Sequence, residues 1–131
     1  MNLLLIAAAA AQTFNLDCSG TIKTESITGQ KVEPYEYIYR IDLTKGVYCD
    51  DQCKGMHPIA SIQPTAIRLE DNHTDKLDEM ETLTNEINRE TGKQSILSLS
   101  NTRLLGRMIT KWDGQCEAKP FTGFPTLQTK F

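Results

Sequence analysis

Hydrophobic and polar residues alternate with a period of two along most of the chain, which is the pattern of half-buried strands. In TFNLDCSGTIK, Phe14, Leu16 and Cys18 alternate with Asn15, Asp17 and Ser19. The alternation is cleanest in YEYIYRIDL. There Tyr35, Tyr37, Tyr39, Ile41 and Leu43 share one face, while Glu36, Arg40 and Asp42 take the other with Ile38 among them. Thr44-Lys45-Gly46 predicts a turn into the short strand VYC. Pro58 and Pro64 bracket IASIQ, and TAIRLED follows with Ile67 and Leu69 inward. Prolines so placed mark strand ends or edges. QSILSLSN and RMITKWDGQCEA predict a last strand pair around Gly106. The tail KPFTGFPTLQTKF, broken by Pro120, Gly123 and Pro125, predicts an extended cover.

Residues 70–92 admit two readings. Leu77, Met80, Leu83 and Ile87 recur at helical spacing, with Thr74 or Asp75 as a cap and Gly92 as a terminator, so a short helix around 75–88 is one. The other makes DNHTDK a polar loop, METLTNEINR a strand and RETGK a hairpin turn with Gly92 at positive φ. Thr82, Thr84, Ile87 and the following SILSLS favour the hairpin. Many short strands with turn signals between them predict an all-β fold, either a small antiparallel sandwich or a barrel-like meander. Neither a phosphate-cradling glycine loop nor a βαβ signature is present.

Composition narrows the class without naming an activity. The 131 residues predict one domain, and 39% hydrophobic with 24% charged residues favours neither disorder nor a coiled coil. A net charge of −3 without a basic run argues against nucleic-acid binding. No apolar stretch is long enough for a transmembrane segment. The apolar run over 3–11 ends in alanines before Gln12, with Ala9 and Ala11 at the two small positions of a signal-peptidase site. Residues 1–11 therefore predict a cleaved signal peptide, 12–131 a single β domain, and the location periplasmic or secreted.

That location changes the meaning of the four cysteines. In an exported chain an even count predicts bridges. Cys18 lies in the first predicted strand and Cys116 in the last. Those strands are neighbours in a closed or nearly closed meander, which predicts Cys18–Cys116. Cys49–Cys53 then pins the turn in YCDDQCKGMH. The competing reading of that stretch is a copper or zinc site through Cys49, Cys53 and His57, with Met56 as a further soft ligand for copper. The Cys-x3-Cys pair is similar to that of copper-delivering proteins of the thioredoxin fold, but the βαβ frame of that fold is missing here. A redox pair lacks the two-residue spacing at a helix N-terminus.

The remaining constellations carry little chemistry. His57 and His73 read as surface loop residues, and no serine lies in a Gly-x-Ser-x-Gly elbow. Acid pairs such as Glu79/Glu81 read as a solvated face rather than a glycosidase pair. DNHTDKLDE lacks the glycine of a calcium loop, and Asn72 in NHT is a formal glycosylation acceptor. The Tyr35/Tyr37/Tyr39 stripe reads as core rather than as a ligand platform.

FNLDCSGT, YRIDL, INRETG and the late GQCEAKPFTGFP together resemble small exported bacterial proteins of unknown function. A first-strand cysteine paired with a last-strand cysteine also resembles the periplasmic C-type lysozyme inhibitors, small antiparallel barrels. Their Ser- and Tyr-bearing inhibitory loop has no counterpart here, so no inhibitory residue is carried over. The expectation is a non-enzymatic exported binding module without a cofactor, whose partner is an envelope protein or ligand.

Overall fold

The computed structural model describes residues 12–125, so the leader over 1–11 and the end of the tail lie outside the described residues. The fold is all-β and is a single antiparallel sheet. Its strands are β1 (Thr13–Ser26), β2 (Gly29–Asp42), β3 (Val47–Asp50), β4 (His57–Pro58), β5 (Ser61–Ile62), β6 (Ala66–Lys76), β7 (Glu79–Asn88), β8 (Lys93–Thr102) and β9 (Gly106–Lys119). Their spatial order is β4-β3-β2-β1-β9-β8-β7-β6-β5, so two meanders are joined where the first and last long strands pair.

The sheet curls into a half-barrel rather than splitting into the two layers of a sandwich. Connectivity requires the curl. β4 and β5 occupy opposite ends of the strand order, yet only residues 59–60 separate them. Three Cα–Cα steps span at most about 10 Å, so the two edges must approach each other. The run 57–62 pairs first with β3, through Tyr48↔His57, and then with β6, through Ile62↔Ile67.

Side chains close the curve from within. Gln94 on β8 is fully buried. Its Oε1 accepts from the Tyr35 hydroxyl at 2.8 Å, and its Nε2 donates to the Tyr39 hydroxyl and to Asn85 Oδ1, both at 3.1 Å. Asn85 Nδ2 also donates to the Tyr39 hydroxyl, at 3.2 Å. These bonds join β2 to β7 and β8 across intervening strands, which a flat sheet cannot do. Every polar atom of the Gln94 side chain is satisfied, so its burial is tolerated.

A row of residues explains how Tyr35 reaches Gln94. Tyr35 pairs with Gly20, Gly20 with Gly114, and Gly114 with Gln94, all on the inner face. With no Cβ at Gly114 the tyrosine hydroxyl lies over it, and with none at Gly20 the β9 backbone at Asp113 and Gly114 approaches closely. One step along, Cys18 pairs with Cys116, and the two are joined by a disulfide at a Cα separation of 4.0 Å. The buried core gathers around this floor, with Leu16, Ile41, Ile67, Leu69 and Ile87 among its members.

Residues 75–88 are not a helix. β6 and β7 form a hairpin whose tip is Leu77–Asp78, and DNHTDK belongs to β6 instead of being a loop. The apolar set at helical spacing therefore divides: Leu83 and Ile87 face inward, Met80 is exposed, and Leu77 stands at the tip. Pairing to β6 on one side and β8 on the other satisfies the backbone of β7, and both faces near the tip meet water, so polar residues are accepted there. Gly92 does take positive φ, at 77°. It closes a turn in which Asn88 Oδ1 accepts from the amides of Glu90 and Thr91.

The first residues of the tail lie on the convex face. Thr122 exchanges hydrogen bonds with Asn15, and Arg40 Nη1 donates to the Gly123 carbonyl.

Candidate functional site

The curl leaves a cavity of about 470 Å³ on the concave face, within the range of small-molecule sites. Tyr37, Tyr39, Tyr48 and Trp112 line it together with Asp50 and Glu70. Alternation on β2 delivers Tyr37 and Tyr39 to one wall, and register delivers Tyr48 from β3 beside Ile41. Trp112 comes from β9, paired with Ile22 and Ile96. The rings touch one another: Tyr37 and Tyr39 have centroids 4.8 Å apart, and Tyr39 and Tyr48 meet edge to face at 6.2 Å. The tyrosine stripe is thus core and cavity wall at once, because the curl leaves rings of core residues lining a hollow.

The disulfide loop positions Asp50. Cys49 and Cys53 are bonded to each other at a Cα separation of 5.0 Å. Asp50 Oδ1 accepts from the Cys53 amide at 2.8 Å, while Asp50 Oδ2 accepts from the Tyr37 hydroxyl at 3.2 Å. Arg40 Nη2 braces the loop from the convex side through the Asp51 carbonyl at 2.8 Å. With both sulfurs in a disulfide, Cys49 and Cys53 offer no thiolate. His57 lies instead against Tyr48, ring centroids 5.5 Å apart. Among the described residues no three His, Cys, Asp or Glu side chains group closely enough to hold a metal ion.

Glu70 reaches the cavity through a change of strand parity. Ile67 and Leu69 point inward, so uninterrupted alternation would turn Glu70 outward. A β-bulge between Arg68 and Glu70 makes Glu70 the partner of Asn85, on the inner face. Bulges re-aim side chains in this way. The same shift places Arg68 and Asp71, three residues apart, on one outer face, where Arg68 pairs with Asp71 at 3.0 Å and Glu86 at 3.2 Å. Glu70 itself makes no hydrogen bond or ion pair among the described residues.

All four tyrosines of the chain are on this concave face, and each phenol is shifted upward. Burial and then the nearby Asp50 carboxylate push Tyr37 up to about 12. Burial, followed by Tyr39 and Asp113, pushes Tyr35 up to about 12. For Tyr39, burial outweighs the bonds donated by Asn85 and Gln94, which act downward. Tyr48 is raised by burial first and then by Glu70. The fold therefore favours the neutral phenols. Their contribution to stability is fully present below the unfolded value near pH 10 and is lost as pH rises toward and beyond about 12. A titration of tyrosinate absorbance should show no step near pH 10, with ionisation and unfolding arriving together above it. A one-tyrosine step near pH 10 in folded protein would contradict this.

Of the other sequence candidates, His57 also lines the cavity, and the rest lie elsewhere. His57 and His73 are exposed but belong to strands β4 and β6, not to loops, and His73 Nδ1 is 2.7 Å from Thr82 Oγ1. Glu79 and Glu81 are exposed on β7 near its tip. Asn72 is exposed on β6. Exposed Ile27, Leu77, Leu104 and Leu105 cap the β1–β2, β6–β7 and β8–β9 turns, which lie at one end of the sheet. Sequence reasoning did not single out Asp50, Glu70 or Trp112 as site residues. A local signal existed only for Asp50, inside the cysteine loop.

No family model, curated protein or solved structure matches the chain. No helix of the described residues is long and apolar enough to cross a membrane.

Proposed function

We propose that this protein is a non-enzymatic binding module, exported to the periplasm or secreted, whose concave cavity receives a ligand or a projecting group of an envelope partner. One observation carries the reading. The curl spends four aromatic rings and two carboxylates on the wall of an open cavity of about 470 Å³. His57 lies on that wall, but among the described residues no hydrogen bond joins its imidazole to a hydroxyl, as a nucleophilic mechanism needs. Two of the wall's hydroxyls are tied up instead, Tyr39 in the Gln94 network and Tyr37 on Asp50. Two disulfides suit an oxidising compartment.

Amide NMR of the oxidised protein against a fragment set of cations, anions and neutral molecules tests the reading. Shifts concentrated on Tyr48, Asn85, Ile96 and Trp112 are expected for at least one class. Shifts confined to the hairpin tips around Ile27 and Leu104, or no shifts at all, would remove the cavity as the binding site.

A further inference from the structure

We infer that the concave cavity recognises an organic cation, an alkylammonium or guanidinium group, held against tyrosine faces with Glu70 and Asp50 as counter-charges. The inference rests on the reading of the cavity as a ligand site and specifies the ligand's chemistry.

The charge of the wall is one-sided. Asp50 and Glu70 line the cavity, His57 is the one basic side chain on its wall, and no lysine or arginine lines it. On the outer face, by contrast, Arg68 pairs with Asp71 of its own strand and with Glu86 of β7. The bulge that makes this pairing possible is the feature that turns Glu70 inward, where it faces phenol rings and has no partner among the described residues. An anion entering here meets two carboxylates. A neutral ligand leaves Glu70 uncompensated.

The aromatic surface selects the same class. Cations are attracted to the faces of Tyr and Trp rings, the more strongly as water is excluded. Tyr37, Tyr39, Tyr48 and Trp112 offer four such rings. The upward shifts of the phenols keep the tyrosines neutral, so a cation meets ring quadrupoles and carboxylates rather than titrating hydroxyls. A hard metal ion is the weaker occupant, because it requires several converging oxygens, and no such group exists among the described residues.

Trp112 is the only tryptophan in the chain and lines the cavity, so its emission reports occupancy. Oxidised protein is titrated with tetramethylammonium, butylammonium, butylguanidinium and acetyl-lysine amide, and with butanol and butyrate as neutral and anionic counterparts. The cations are expected to saturate the emission change, with butanol and butyrate at least tenfold weaker. Glu70→Gln should weaken the cations at least fivefold without moving the melting temperature, since Glu70 has no partner to lose. Glu90→Gln, at an exposed turn position, should change nothing. Tighter binding of acetyl-lysine amide than of butylammonium would assign a peptide side chain as the natural source, and the reverse order a free small amine. Equal binding of butanol and butylammonium, or unchanged cation affinity in Glu70→Gln, overturns the inference. If the NMR survey places only neutral or anionic fragments in the cavity, the binding reading stands and the cation does not. If it places none there, both fall.

Discussion

Replacing Cys18 and Cys116 together by serine should remove about 4–5 kcal/mol of stability, on the order of a 15–20 °C fall in melting temperature. The bridge spans a sequence separation of 98, so its loss frees nearly the whole described chain in the unfolded state. It also joins the two meanders at the one strand pair that unites them, with Cys18 fully buried. The Cys49/Cys53 double serine variant should cost less, about 1–3 kcal/mol, because its bridge spans a separation of only 4. What that variant loses first is the placement of Asp50, whose carboxylate accepts from the Cys53 amide. Thermal denaturation of the two double mutants side by side checks the order. Equal losses would show that the long bridge does not act through the unfolded chain.

Gly114→Ala should cost about 3 kcal/mol or more, combining overpacking with the loss of a buried hydrogen bond. A Cβ at Gly114 would overlap the Tyr35 hydroxyl and come within 2.5 Å of the Ser19 carbonyl oxygen. The backbone of β1 cannot yield, so the ring must. When Tyr35 lifts, Gln94 Oε1 loses its donor while the residue stays fully buried. Tyr35 also packs at a tilt against Trp112, centroids 4.8 Å apart, so the cavity wall should loosen with it. Tyr35→Phe is the comparator. It keeps the ring and removes only the hydroxyl, so about 1–2 kcal/mol is expected. Chemical denaturation of the three proteins decides the point, and a Gly114→Ala protein within 1 kcal/mol of wild type would contradict the tyrosine-over-glycine arrangement.

Much of the fold is legible in the sequence because period two is a local signal. Phe14 to Cys18, Tyr35 to Ile41 and the late strands all announce their faces, and the first-to-last pairing of Cys18 with Cys116 follows from a meander. What is not legible depends on parity and on curvature. Nothing in AIRLED marks the bulge that reverses Glu70, since the extra residue is accommodated by the pairing with β7 and not by a glycine. Curvature is equally silent: Gly20 and Gly114 look like turn residues until register places them side by side, with the Tyr35 hydroxyl over Gly114. The helical spacing of Leu77, Met80, Leu83 and Ile87 misled for the opposite reason. Two of those residues are exposed on a hairpin that needs no apolar stripe at its tip. The cavity therefore emerges only when distant strands are brought together.

The most direct test places a cation against the wall itself. In the oxidised protein saturated with tetramethylammonium, intermolecular NOEs should connect the methyl protons to the rings of Tyr48 and Trp112. NOEs to Ile27, Leu77 or Leu104 at the hairpin tips, or none to the concave face, would contradict the account.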